Sequence, residues 1–404
     1  ASVTVRLELI TNETGAHTFE VDDFAVIQAG GVVCNGVAEI AGALYGIFGR
    51  CICLFDETND VWDAVRVDSA NTCAAIIEYN GNLFVSFAGD NAYVYGTSTT
   101  WTTSTLAADA KFAYFWAVSR GTLWKSRQDT NATGIHIYIA SSTSAINGGA
   151  WSAEYAVGST DRDITGLYSF RDSLAVGKED GLHFYLRVYN DGASADLFTN
   201  VTNEYQQFVD AENFARGAEQ AGILYLSTAQ QGLFAYDGFR LIDISGILTA
   251  PRLTTFGGRV RALAAGVGQL FLFADTPTAD ATVTKETWLI SLRPDGQGGW
   301  LVHPLEQVGV GDINRLVVNN ESGTPYLWAL GRIYNSDAAD YESAIYRWTL
   351  PTKVIAPALD AAPVINTSGT FTTSYYDKGM PDEQVGLTAI QFGTESLDAN
   401  HTIQ

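Results

Sequence analysis

The sequence predicts an all-β chain of repeated four-strand units, a β-propeller, and three observations carry that prediction. Segments alternate apolar and polar residues, as in Ile135-His-Ile-Tyr-Ile139, where the isoleucines face one side and His136 and Tyr138 the other. Hairpins come in pairs, and seven pairs follow one another from about residue 34 to about residue 358. An aromatic side chain follows the second turn of most pairs, at Trp62, Trp101, Trp151, Phe198, Phe239 and Trp300. These anchors recur at intervals of roughly 40 to 60 residues, the length of a four-strand blade with variable loops.

The first hairpin of each pair carries an aromatic and aliphatic second strand. Examples are Ala75 to Phe87, whose Asn80-Gly81 is a strong type I′ turn signal, and Phe115 to Trp124. The second hairpins interleave with these, from Cys51-Ile-Cys-Leu through Trp62 to Ala344-Ile-Tyr-Arg-Trp348. Strands near a propeller axis are buried on both faces and read as continuous apolar runs, as Leu224-Tyr-Leu226 and Leu270-Phe-Leu-Phe273 do. Seven blades are expected, with six as the alternative count. Two stacked β-sandwiches would account for the strands but not for the alternation of paired hairpins.

The domain plan has three parts. Residues 1–33 hold N-terminal strands, Ser2 to Ile10 and Phe24 to Ile27, one of which is expected to complete the last blade and close the ring. Residues 34–358 form the propeller. Residues 359–404 hold a linker, rich in Ala and Pro from Thr352 to Pro363, and two strands that start a β-sandwich-like module. The chain ends on what reads as a strand just starting, so the natural polypeptide is expected to continue.

Composition narrows the function classes. Of 404 residues, 47% are hydrophobic, enough for a large core, and 39 glycines with 12% aromatics suit short strands and tight turns. The net charge of −22 repels a phosphate backbone, so nucleic acid is not an expected partner. No run of 18 apolar residues is present, so no membrane insertion is expected. Cys34, Cys51, Cys53 and Cys73 form no C-x-x-C pair and have no His nearby in sequence; they read as small buried side chains, with one disulfide as the alternative.

Beyond the propeller, Thr370-Phe-Thr-Thr-Ser-Tyr-Tyr-Asp-Lys-Gly-Met-Pro-Asp-Glu-Gln384, followed by Leu387-Thr-Ala-Ile390, resembles a segment that follows degenerate propellers in virion proteins of tailed bacteriophages. There a strand ends in Tyr-Asp, a short acidic turn with Pro follows, and the next strand opens a β-sandwich. The resemblance covers some 30 residues strongly. It implies a tail, tail-tip or nozzle component of the virion, with other tail proteins as partners in a multi-copy assembly and no chemistry of its own.

No catalytic site is expected. The chain lacks G-x-S-x-G, a P-loop, H-E-x-x-H and the Asp-box of propeller glycosidases; Ser291 to Trp300 comes nearest to the last but has the wrong spacing. Carboxylates can still meet across an axis, and Asp161, Asp163, Glu179 and Asp180 are the weak candidates. His136 and His183 occupy matching positions in two units, which would set both at one radius. Asp56-Glu-Thr-Asn-Asp60 is a candidate Ca²⁺ site without the EF-hand pattern, and a plain hairpin turn explains it equally; no other cofactor is expected. Trp101 and Trp151 are candidate platforms for stacking on sugars, and blade-packing anchors are the competing reading. Loops such as Ser141 to Trp151 and Asp275 to Lys285 would meet neighbours or host surface. The expectations are therefore, in order, a structural virion protein, a module that recognises host-surface glycan, and a secreted propeller glycoside hydrolase.

Overall fold

The computed structural model describes residues 34–350 apart from stretches between strands, of which 246–258 is the longest. The expected N-terminal strands and the C-terminal module lie outside the described residues. So does the segment that carries the virion resemblance.

The described strands form a seven-bladed propeller, as expected. Blade 1 is the meander β1 (Cys34–Ile40), β2 (Ala43–Phe48), β3 (Cys51–Asp56) and β4 (Val61–Val67). Blade 2 runs β5 (Cys73–Tyr79), β6 (Asn82–Phe87), β7 (Ala92–Thr97) and β8 (Thr100–Thr105). Blade 3 holds β9 (Ala113–Ser119), β10 (Thr122–Arg127), β11 (Tyr138–Ser142) and β12 (Tyr155–Ala156). Blade 4 holds β13 (Ile164–Phe170), β14 (Ser173–Lys178), β15 (Gly181–Val188) and β16 (Ala195–Asn200). Blade 5 holds β17 (Gly217–Gln220), β18 (Ile223–Thr228), β19 (Gly232–Tyr236) and β20 (Leu241–Asp243). Each of these is an antiparallel four-stranded sheet in chain order.

The last two blades share a strand. β21 (Val260–Gly266), β22 (Gln269–Asp275) and β23 (Glu286–Pro294) are followed by the 22-residue β24 (Trp300–Glu321), then β25 (Thr324–Asn335) and β26 (Asp340–Thr349). Residues 300–310 pair with β23 and complete blade 6; residues 311–321 pair with β25 and begin blade 7. Pro304, Gly309 and Gly311 all fall within this one long strand.

The inner hairpin of every blade turns in two residues. Ala41-Gly42, Asn80-Gly81, Arg120-Gly121, Arg171-Asp172, Ala221-Gly222 and Val267-Gly268 all have positive φ at both positions, and Gly323 has it in the seventh. That is the type I′ geometry whose twist matches the flanking strands. The residues after the turn then repeat as Gly-x-Leu-aromatic: Gly42-Ala-Leu-Tyr45, Gly81-Asn-Leu-Phe84, Gly121-Thr-Leu-Trp124, Gly222-Ile-Leu-Tyr225 and Gly268-Gln-Leu-Phe271. The leucine is buried in each case, at 2% exposure or less. Most inner strands also carry a β-bulge near their start, at residues 34–36, 164–166, 260–262 and 313–315 among others.

The core lies between blades. Seven apolar clusters fill the seven interfaces, and the outer strand of a blade commonly wedges a large side chain toward the blade before it. Trp62 sits in the blade 7–1 cluster, Trp101 in the blade 1–2 cluster, Trp151 in the blade 2–3 cluster, Phe198 in the blade 3–4 cluster and Trp300 in the blade 5–6 cluster. Phe239 departs from the expectation. It stands in the turn before β20, 91% exposed, and Leu241 fills the wedge position in its place. The four cysteines are free thiols; Cys34, Cys53 and Cys73 are buried. Burial pushes the Cys34 thiol up to about 11 and those of Cys53 and Cys73 up to about 12, so they pack as small neutral side chains.

A side-chain hydrogen bond also crosses each interface. From blade 1 to 2 Asn35 Nδ2 donates to Cys73 O (2.8 Å), and from 2 to 3 Tyr79 Oη donates to Gly121 O (2.9 Å). From 3 to 4 Ser119 Oγ donates to Asp172 O (3.1 Å), and from 4 to 5 Arg171 reaches Gly222 O (2.8 Å). From 5 to 6 Arg216 Nε donates to Arg261 O (3.0 Å). Trp348 Nε1 donates to Glu306 Oε2 (2.7 Å) between 6 and 7, and Arg315 Nη2 donates to Asn35 O (2.8 Å) where 7 meets 1.

Candidate functional site

The inner strands surround an axial channel, and three cavities with shared walls follow one another along it. The chamber nearest the inner hairpin turns holds about 460 Å³. Its walls are apolar at Ile76, Trp116 and Leu167, and Glu39, Glu78 and Glu219 rise from β1, β5 and β17. These glutamates share one register, the residue next to last before each turn, so strand geometry and not loop chance puts them at one level. Glu78 accepts the Gly81 N–H (2.7 Å), and Glu219 accepts the Arg171 N–H (3.4 Å).

Midway along the channel a cavity of about 180 Å³ lies between Tyr168, Arg216, Leu263 and Arg315. Tyr168 Oη donates to Phe214 O (2.6 Å), and burial pushes its phenol well above the ordinary range. At the opposite face a third cavity of about 330 Å³ is lined by Tyr114, Asp163, Glu179, Glu212 and Arg216.

Behind that face lies a buried polar group between blades 3 and 4. Lys178, fully buried at the end of β14, donates from Nζ to Val157 O (2.6 Å) and to Ser159 O. Burial pulls its ammonium pKa down, while Asp180, Asp161, Asp163 and Glu179 pull it back up. His183 on β15 is 4% exposed, and burial, helped by Lys178, lowers it to about 4. Neither His183 Nε2 nor Asp180 Oδ1 makes a hydrogen bond within the protein. The four acidic residues singled out from sequence thus gather around one lysine. Four carboxylates against one ammonium leave the surroundings of Lys178, a residue the sequence analysis did not single out, net acidic.

The other sequence candidates fall as follows. Trp101 packs in the blade 1–2 core, and Trp151 stands edge-on to Tyr93 at 6.3 Å with Lys125 Nζ 4.7 Å above its ring. His136 lies outside the described residues. Asp56 is taken up by its own turn, accepting from the N–H groups of Thr58 (2.8 Å) and Asn59 (3.3 Å) and from Asn59 Nδ2 (2.6 Å). These bonds hold its carboxyl below the usual range. Among the described residues no group of three or more His, Cys, Asp or Glu side chains is placed to hold a metal ion. Of the loops expected to meet neighbours, 147–150 and 276–285 lie outside the described residues.

No family model matches this chain, and no curated protein matches it. Solved structures do. The WD40 repeats of RRP9 align over 81% of this chain and 97% of theirs, with 11% identity and a TM-score of 0.53. A chain of the mitotic checkpoint complex aligns over 86% of this chain and 99% of its own, with 11% identity and a TM-score of 0.50. A GH74 enzyme from Niastella koreensis aligns over 80% of this chain and 60% of its own, with 11% identity and a TM-score of 0.51. At such identity the likeness establishes the propeller fold and nothing of activity.

Proposed function

We propose that this chain is a structural scaffold, a rigid ring that holds protein partners in a multi-copy assembly, and that the assembly is the tail of a phage particle. The observation that carries the scaffold reading is the stapling of the ring. Every interface has its own apolar cluster and its own crossing hydrogen bond, so the ring offers preformed surfaces and holds them in fixed relation. Preformed surfaces lose little entropy on binding. The acid-lined channel ends favour partners that present basic side chains. The propeller neighbour in the mitotic checkpoint complex shows the same fold at work inside a protein assembly. The phage part of the reading rests on the segment from Thr370 to Ile390 and its likeness to virion proteins.

Mass spectrometry of tail-enriched particle fractions tests it. Several copies per tail are expected. Recovery only as a free secreted protein would overturn the virion reading, and binding or cleavage of polysaccharides by that free protein would favour the glycan-recognising or hydrolytic propeller instead.

A further inference from the structure

Phe239 has no place in the core, since Leu241 fills the wedge position of blade 5. Among the described residues no other large apolar side chain is as exposed; Val67 follows at 61%. Its turn is nonetheless held firmly. The Asp237 carboxylate accepts the N–H groups of Phe239 (2.8 Å) and Arg240 (2.9 Å) and the Arg240 Nε–H (3.3 Å), and Tyr236 Oη donates to Gly238 O (3.0 Å). Arg171 packs against Gly238 from blade 4, its guanidinium fixed on Gly222 O. Asp237 is thus bound up in the turn, whereas the Arg240 side chain is 76% exposed. The turn presents one rigid aromatic with two arginines close by, the side chains that dominate binding at protein interfaces.

The same face carries a counterpart. β19 ends at Tyr236, paired with Leu224, which closely follows the inner turn 221–222. The turn 237–240 therefore lies at the same end of the ring as the chamber of about 460 Å³. That chamber has apolar walls at Ile76, Trp116 and Leu167, room for an aromatic side chain, and the carboxylates of Glu39, Glu78 and Glu219 around it. An aromatic knob beside guanidinium groups and an apolar recess ringed by carboxylates are complementary in polarity and in charge. We propose that this face is a self-association surface, in which Phe239 and Arg240 of one copy enter the axial chamber of a second copy and the second copy returns the contact. A two-fold axis midway between knob and chamber brings both pairs together at once, so the interface is isologous and closed. The knob stands between β19 and β20 on the outer half of blade 5, so the two rings meet face to face with their channels offset. The inference deepens the multi-copy reading and is separable from it, since the purified chain dimerises whether or not a phage tail contains it.

Sedimentation velocity of the full chain over a dilution series tests the surface. The wild type should dimerise reversibly. Phe239→Ser changes an exposed site and should leave the melting temperature unmoved, yet it should weaken the dimer roughly a hundredfold, because the contact occurs twice. Arg240→Glu and Glu39→Arg should each be monomeric alone. An equimolar mixture of the two should dimerise, because each contact in the mixed pair again joins opposite charges. Should Glu39→Arg not fold, Phe239→Ser and Arg240→Glu decide alone. A wild type that stays monomeric at every concentration overturns the proposal, even if the chain is then found in tail fractions. So does a dimer that Phe239→Ser leaves intact, or a charge-swapped mixture that stays monomeric.

Discussion

The interface between blades 7 and 1 and the interface between blades 3 and 4 occupy equivalent places in the ring and are built on opposite principles. At the first, Trp328 is 2% exposed, with Phe55 at 4.5 Å and Trp62 at 6.0 Å, and its Nε1 donates to Asn319 Oδ1 (3.0 Å). Arg347 lies over Phe55, Tyr326 and Trp328. At the second, a buried lysine and a buried histidine share the space with Trp124, Leu167 and Val176. An aromatic interface stabilises through area and holds at any pH, whereas a polar one stabilises only while its groups keep the right protonation. The interface that joins the two ends of the ring is the pH-independent one.

The comparison breaks most readily at Trp328. Trp328→Ala empties the centre of the 7–1 interface and should cost about 4 kcal/mol in chemical denaturation, with no change in pH dependence. The second effect is on pH. In the fold His183 titrates near 4, against 6.5 in the unfolded chain. Unfolded chains therefore take up a proton below pH 6.5 that the folded ring refuses. The stabilising effect is complete above 6.5 and falls away toward pH 4, by up to about 3 kcal/mol, then levels off. Thermal melts across that range should show the slope in the wild type and lose it in His183→Gln.

A smaller test of the same interface is Gly158. It has φ +59, and a Cβ there would strike the His183 imidazole, so Gly158→Ala should cost about 2 kcal/mol by thermal melting. Smallest is Arg315→Ala, which removes the bonds to Asn35 O across the ring junction and should cost about 1–2 kcal/mol by denaturant titration. Arg216→Ala removes the matching bond to Arg261 O between blades 5 and 6 and should cost the same. A much larger loss for Arg315 would show that the junction is under strain that the other interface does not share.

The blade count was legible because the hairpins come in seven successive pairs, and the Asn80-Gly81 turn is visible in the sequence. Anchors chosen only for being aromatic were less secure. Phe239 looked like a wedge, but its turn, Asp237 to Arg240, tips it outward, with the Asp237 carboxylate accepting the Phe239 N–H (2.8 Å). The acidic candidates were found and their role was not. Asp161 and Asp163 reach Lys178 through a loop between blades, and that meeting depends on blade packing that no local pattern encodes. Lys178 itself hides in an apolar run, Leu174-Ala-Val-Gly-Lys178, where a charge at a strand end looks like a solvent-facing residue.

The central claim is a ring whose 7–1 junction is as firmly closed as any other interface. Native-state hydrogen exchange at the β1 amides from Gly36 to Ile40 tests it most directly. The account predicts that they exchange only through global unfolding, with the same opening free energy as the inner strands β9 and β17. Faster exchange at β1, independent of global stability, would mean that the ring opens at its junction and would contradict a rigid scaffold.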